Sequence, residues 1–200
     1  MIDLENMTDV EKLEFFAHSL AVLGKKMGYN KITDKSKWRE PIVAGKLGHV
    51  AFEKISAGKN SDKYGADAID EKTGKMAEYK SMAIEDKQLN NLLQRVKNKK
   101  GGRFAPLTVV GVYNGAYTHE AIDAYEKHDH YFSVFYDEKC LLIIKPKHDI
   151  LIGQLREEVD RRIAANKGGT TNLNTVRINL GDVNKYDITW RDEEWFKQNG

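Results

Sequence analysis

The chain has 200 residues, of which 40% are hydrophobic and 31% are charged, with a formal net charge of +2. These values are ordinary for a globular protein and by themselves imply no partner. The single cysteine, Cys140, cannot form an internal disulfide, which excludes a secreted disulfide scaffold. No stretch approaches the roughly 20 apolar residues of a membrane span, and the acidic, amphipathic N-terminus is unlike a signal peptide. We therefore expect a soluble, cytoplasmic protein.

Two helices are predicted before the first strands. Thr8–Met27 begins with a capping-box pattern completed by Glu11, and apolar residues then recur at helical spacing. A second helix is predicted over Pro41–Ser56, because proline suits the first turn. The stretches ADAIDE and KMAEYKS then flank a Lys-Thr-Gly turn, which predicts a β-hairpin.

The rest of the chain alternates between helices and strands. The predicted elements are a helix over Glu85–Asn98, a strand over Pro106–Tyr113, a helix over Thr118–Lys127, the strands YFSVFY and CLLIIK, a helix over Asp149–Ala165, strands near TVRINL and YDITW, and a short terminal helix. Helices before and after a mixed central sheet predict one α/β (α+β) domain over residues 1–200. We divide it into a helical extension (1–40), a core (41–165), and a polar loop with C-terminal strands (166–200).

Charged residues at the predicted hairpin suggest a catalytic site. Glu78 and Lys80 are two residues apart, so on a strand both side chains point to one face. Asp67 lies on the preceding strand, and pairing across the turn would bring it close. Two neighbouring carboxylates repel unless a cation joins them, and Mg²⁺ prefers such oxygen ligands. A lysine beside them can orient a water and stabilise charge on phosphorus, which indicates phosphodiester hydrolysis.

This pattern resembles the core of the PD-(D/E)xK nuclease superfamily. The stretches YGADAID and GKMAEYKS are especially similar to type II restriction endonucleases, and the resemblance covers about residues 45–98. It implies a restriction-endonuclease-like core in which Asp67 and Glu78 hold one or two Mg²⁺ ions and Lys80 positions the attacking water. It also implies that Glu53, on the preceding helix, and the backbone carbonyl of Tyr79 contribute to metal binding.

The first metal ligand has two candidates. Ala66 stands where the family's name has proline, which many members lack. Asp70 lies on the same strand as Asp67, three residues away, so a regular strand would point the two side chains to opposite faces. Asp67 is preferred for its spacing and its Gly-Ala lead-in, and Asp70 remains the alternative.

Two polar segments are candidates for DNA contacts. QRVKNKKGGR holds five basic residues and no acid, which suits DNA phosphates, although such residues also complement a helix C-terminus. ANKGGTTNLNT is rich in amides and hydroxyls that can read bases, although a surface loop has the same composition. The candidate DNA-binding residues are Arg95, Lys97, Lys99, Lys100, Arg103, Asn166, Lys167, Thr170, Thr171, Asn172 and Asn174.

The histidines in KHDHYF favour a structural interpretation. His128 and His130 are two residues apart, but no cysteine or further histidine stands at a regular metal-site spacing. The segment therefore predicts a helix end leading into a strand, with His130 as a further candidate for a DNA contact. Cys140, inside an apolar run, is predicted to be a small buried residue.

The resemblance implies a Mg²⁺-dependent, sequence-specific endonuclease of double-stranded DNA, of prokaryotic or phage origin, in a single nuclease domain. Cutting two strands usually calls for two active sites, so we expect a homodimer, with the N-terminal helix and the Tyr/Phe-rich strands as candidate dimer surfaces. The alternatives are a homing, repair or junction-resolving nuclease of the same fold, a non-catalytic DNA-binding module, and an unrelated α/β domain with a chance motif.

Overall fold

The computed structural model describes residues 4–26, 36–52, 66–97, 108–111, 118–166, 176–179 and 183–199. Within these ranges the chain is an α/β protein. Its helices are α1 (Asp9–Lys26), α2 (Ser36–Leu47), α3 (Asp86–Lys97), α4 (His119–Tyr125), α5 (His148–Asn166) and α6 (Glu193–Asn199). Its strands are β1 (Val50–Ala51), β2 (Ala68–Asp70), β3 (Lys75–Ala83), β4 (Thr108–Gly111), β5 (Asp129–Tyr136), β6 (Lys139–Pro146), β7 (Val176–Asn179) and β8 (Tyr186–Arg191).

Six strands form one mixed sheet in the order β1-β2-β3-β5-β6-β8, and helices flank it, as the sequence predicted. Strands β3 and β5 pair in parallel, and the other neighbours pair antiparallel. Strands β4 and β7 form a separate antiparallel pair. Among the described residues, no helix has both the length and the apolar character needed to cross a membrane.

The Tyr/Phe-rich strand β5 lies inside the sheet. It pairs with β3 on one side and β6 on the other, and six of its eight residues are buried. Its aromatic side chains therefore pack against the protein's own helices. The suggestion that this strand forms a dimer surface is wrong.

Helices cover both faces of the sheet. Phe132 and Ile144 are fully buried in a core that includes residues of α3, α4 and α5. Phe135 and Ile143 are fully buried on the other face, in a core that includes residues of α2. Burying a side chain of this size contributes about 1.5–3 kcal/mol. The two cores hold the sheet between its helices, and the candidate site lies on one of its strands.

Buried charged contacts attach the N-terminal helices to the sheet. Glu14 of α1 accepts a hydrogen bond from the backbone N–H of Cys140 at 2.8 Å and another from Lys46 Nζ at 2.8 Å. Arg39 of α2 donates two hydrogen bonds to the buried Glu138, at 2.7 and 2.8 Å. Cys140 itself is fully buried, which confirms its predicted position.

The second helix differs from its prediction. It begins at Ser36, contains Pro41 in its interior, and ends at Leu47. Gly48 adopts a φ of +69°, a conformation that favours glycine and ends helices. Strand β1 follows and pairs with β2, so a single helix over Pro41–Ser56 is wrong. The apolar residues after Gly48 form a strand because they pair with residues about 20 positions away. A helix prediction rests on the spacing of residues three or four positions apart and does not include such distant partners.

The hairpin predicted at the Lys-Thr-Gly turn is confirmed, and the predicted strands YFSVFY and CLLIIK form a second hairpin. The turn between β2 and β3 contains Gly74 at a φ of +69°. The turn between β5 and β6 places Asp137 and Glu138 at φ values of 47° and 61°, as two-residue hairpin turns require. The other predicted elements are present where they fall within the described residues, with boundaries shifted by a few positions.

Candidate active site

Strand β3 presents Glu78 and Lys80 on one face of the sheet. The alternate residues Ala77 and Tyr79 belong to the core beneath α2. Lys80 pairs in register with Phe132, which belongs to the opposite core beneath α3, α4 and α5. The two-residue period of the strand therefore directs the charged pair to one side and its anchoring tyrosine to the other.

Glu78 and Lys80 form a nearly buried ion pair. Lys80 Nζ donates a hydrogen bond to Glu78 Oε1, and the two side chains are only 14% and 8% exposed, respectively. Charged groups are found in such an environment when they are paired, because an isolated charge loses its hydration without compensation. The structure thus joins the acid and the lysine of the predicted motif.

Asp67 lies beside this pair, in a bend one residue before β2. Its Oδ2 accepts a hydrogen bond from the backbone N–H of Tyr79 at 2.8 Å, so its carboxylate lies at the peptide that links Glu78 to Tyr79. Its own backbone N–H donates to the carbonyl of Ala77 at 2.9 Å, and its carbonyl accepts from Phe52 at 2.9 Å. Three hydrogen bonds therefore hold Asp67 between β1 and β3.

The carboxylate of Asp70 forms hydrogen bonds within the hairpin turn. It accepts them from the N–H of Lys72 at 3.0 Å and from the hydroxyl of Thr73 at 2.7 Å. The Thr73 bond is the main cause that lowers the pKa of Asp70 below its ordinary value. Because Asp70 pairs with Lys75, at the start of β3, it lies farther along the hairpin from Glu78 than Asp67 does. This geometry favours Asp67 as the acidic partner of Glu78.

The far face of β3 is anchored by aromatic residues. The hydroxyl of Tyr79 shares a hydrogen bond with His49 Nδ1 at 2.8 Å, and the rings of Tyr79 and Tyr131 pack edge to face with centroids 6.0 Å apart. Burial raises the pKa of Tyr79 and lowers that of His49. These contacts fix the strand that carries Glu78 and Lys80, and the sequence alone did not indicate them.

His130 is a neighbour of the pair that sequence reasoning did not connect with it. The parallel register places His130 directly beside Glu78, and the residue is only 3% exposed. Its Nε2 lies 2.7 Å from the backbone carbonyl of Tyr125, so this nitrogen carries the hydrogen. Burial, together with a smaller effect of the charge of Lys80, lowers the pKa of His130 to about 4, so the ring is neutral near pH 7.

The metal ligands predicted from the sequence lie only partly within the described residues. Asp67, Glu78 and the carbonyl of Tyr79 are hard oxygen donors, which fits Mg²⁺ better than Zn²⁺. Glu53 lies outside the described residues, and α2 ends before it, so the prediction that this helix carries it is wrong. Within the described ranges, no group of three or more His, Cys, Asp or Glu side chains is arranged to hold a metal, and this includes His128 and His130.

Three of the candidate DNA-binding residues lie in the described part of the chain. Arg95 and Lys97 lie in the last turn of α3, and Asn166 is the final residue of α5. The remaining eight lie outside the described residues: Lys99, Lys100, Arg103, Lys167, Thr170, Thr171, Asn172 and Asn174.

In comparisons with known proteins, neither a protein-family model nor a curated protein matches this chain.

Proposed function

We propose that this chain is a Mg²⁺-dependent endonuclease that cleaves double-stranded DNA at defined sequences, like the type II restriction enzymes of the PD-(D/E)xK superfamily. One observation carries the proposal. The hydrogen bond between Tyr79 and Asp67 sets the acid that directly precedes β2 against the acid–x–lysine of β3, where Glu78 and Lys80 are in contact. A chance motif on a solvated strand would not need this buried and mutually bonded arrangement.

Each residue has a distinct proposed role. Asp67 and Glu78, with the carbonyl of Tyr79, would hold Mg²⁺, and Glu53 is a further ligand proposed from the sequence. When bound, Mg²⁺ would polarise the scissile phosphate and lower the pKa of a water. Lys80 carries three N–H donors, one of which contacts Glu78. From there its ammonium would orient the attacking water and offset the negative charge that builds on the phosphoryl oxygens as the water oxygen bonds to phosphorus and the P–O bond to the leaving group breaks.

The direct test is cleavage of phage DNA by the purified protein with Mg²⁺, followed by sequencing of the ends. Discrete fragments with a shared end sequence would support a restriction enzyme, whereas a smear would indicate a nonspecific nuclease. EDTA should stop the reaction, and Ca²⁺ should support binding without cleavage. DNA that stays intact but is bound would favour the non-catalytic binding module.

Two substitutions test the site itself. Glu78→Gln keeps the shape of the side chain and removes its charge, and Lys80→Met keeps most of the stem and removes the ammonium. Both should abolish cleavage, while Lys72→Met, in the exposed turn, should leave it unchanged. Cleavage by the Glu78→Gln protein at the wild-type rate would overturn the assignment.

The substrate separates this proposal from other nucleases of the same fold. A panel of linear duplex, supercoiled plasmid and four-way junction DNA distinguishes a site-specific enzyme from a repair or junction-resolving one. Preference for the junction over the duplex would favour the second class.

The basic segment after α3 is proposed to contact DNA phosphates. Replacing Lys99 and Lys100 by glutamine should weaken binding to every sequence and flatten its dependence on salt, by up to about 2 in the slope of log K against log salt. Lys197→Gln, on the exposed surface of α6, serves as the control. An unchanged slope would remove this segment from the proposed interface.

A homodimer is proposed because two DNA strands require two active sites. Helix α1 offers an apolar stripe, since Phe16, Leu20 and Leu23 are 51%, 43% and 51% exposed and recur at helical spacing. Leu20→Lys should then yield a monomer in analytical ultracentrifugation, whereas Ile188→Lys, at an exposed position on β8, should not. A wild-type protein that sediments as a monomer with and without DNA would refute the dimer.

A further inference from the structure

His130 and Glu78 are lateral neighbours on the parallel strands β5 and β3. Adjacent strands lie about 4.8 Å apart, and residues paired in register point to the same face. Both residues are buried, with 3% and 6% of their surfaces exposed. The imidazole therefore borders the space that the Glu78 carboxylate occupies, on the side of β5.

The His130 ring is held by contacts with Tyr125. Its Nε2–H donates to the carbonyl of Tyr125 at 2.7 Å, and the two rings pack with centroids 6.1 Å apart. Tyr125 is the last residue of α4, and it is itself buried in the core beneath α3, α4 and α5. These two contacts attach the imidazole ring to the end of a packed helix. They restrict the orientations that the ring can adopt.

We propose that His130 is a positioning residue for Glu78 and Lys80: it limits the orientations of the Glu78 carboxylate and so keeps the carboxylate and the ammonium aligned for Mg²⁺ and water. This role rests on the proposed nuclease function and names a further residue of that same site. His130 acts through Glu78. Misplacing a reacting group by about 1 Å can reduce a rate roughly 100-fold. A side chain that restricts the Glu78 carboxylate therefore affects the reaction without contacting the substrate.

Three variants separate positioning from folding. His130→Ala removes the imidazole ring beside Glu78 and the hydrogen bond to Tyr125. His130→Gln places an amide nitrogen at the position of Nε2, so it can restore the hydrogen bond and most of the bulk. Val134→Ala is the matched control, because Val134 is fully buried on the same strand and in the core that contains Tyr125 but pairs with Met82 rather than Glu78.

The readouts are the Mg²⁺ affinity measured by calorimetry, the maximal cleavage rate, and the melting temperature. His130→Ala should weaken Mg²⁺ binding and lower the maximal rate by about 10- to 100-fold, as loss of a supporting residue does at metal sites. For His130→Gln, the Mg²⁺ affinity and the maximal rate should lie within about 5-fold of wild type, compared with the loss of about 10- to 100-fold expected for His130→Ala. Val134→Ala should lower the melting temperature and leave both within about 2-fold, because it opens a cavity away from the site. If His130→Ala does not fold, His130→Asn replaces it, since its shorter amide stops short of the Tyr125 carbonyl.

The outcomes distinguish this role from the proposed function. A wild-type protein that neither binds Mg²⁺ nor cleaves DNA would overturn the nuclease function and this role with it. A wild-type protein that cleaves, with an unaffected His130→Ala variant, would overturn only the role of His130. Equal losses in His130→Ala and Val134→Ala would also overturn it, because they would show a general effect on the fold.

Discussion

Asp67 is expected to serve both the hairpin and the reaction, and two substitutions separate these roles. Asp67→Ala removes the oxygen that accepts the Tyr79 N–H at 2.8 Å, whereas Asp67→Asn can keep an oxygen there without the charge. Hydrogen bonds to charged groups contribute about 1.5–3 kcal/mol, and neutral ones about 0.5–1.5 kcal/mol. We therefore expect Asp67→Ala to lower the free energy of unfolding by about 1.5–3 kcal/mol and Asp67→Asn by about 1 kcal/mol.

Urea unfolding followed by circular dichroism measures these losses. For a chain of this length, each kcal/mol lowers the melting temperature by about 2–4 °C, so Asp67→Ala should melt roughly 3–12 °C below wild type. Cleavage should be lost in both variants when it is assayed well below their melting temperatures. Asp70→Asn is the control: its amide oxygen can accept from the Lys72 N–H, its amide nitrogen can donate to the Thr73 hydroxyl, and cleavage should persist.

Two results would refute this reasoning. If Asp67→Ala unfolds at the same urea concentration as wild type, the hydrogen bond to Tyr79 contributes nothing. If Asp67→Asn cleaves DNA while Asp70→Asn does not, the acid of the site is Asp70.

Three further predictions concern ionisable side chains outside the candidate site. Lys46→Met leaves the buried Glu14 carboxylate without its cation, so the free energy of unfolding should fall by about 3–5 kcal/mol, as measured by urea titration. Because the pKa of Asp70 is lowered in the folded state, mainly by the Thr73 hydroxyl, its stabilisation is present above the ordinary aspartate pKa and is lost on acidification; Asp70→Asn should therefore lose less stability between neutral and acidic pH than wild type. Burial raises the pKa of the Cys140 thiol, so a disulfide reagent should react with it only after unfolding in urea, and rapid reaction of the native protein would contradict its burial.

Local patterns in the sequence predicted much of the fold. The capping box at Thr8 is present, with Glu11 accepting from the Thr8 backbone N–H at 2.8 Å, and α1 follows it. The Lys-Thr-Gly turn forms the predicted hairpin. Such features depend on residues a few positions apart, so their physical cause can be read directly from the chain.

The end of α2 shows where local reasoning fails. Val50 and Ala51 have no local pattern that separates a helix from a strand, and their pairing with Ile69 and Ala68 decides the outcome. Strand propensity depends strongly on such partners, which lie far away in the sequence.

The sequence by itself determined that Glu78 and Lys80 share a face, because a strand repeats every two residues, and that Asp67 comes near them across the hairpin. Only the tertiary structure decided which contacts these residues make. It assigned Asp70 to the turn through Thr73, anchored Tyr79 on His49, and placed His130 beside Glu78. The last pairing joins residues 52 positions apart through the parallel register of β3 and β5, and that register follows from packing the two cores rather than from any local pattern.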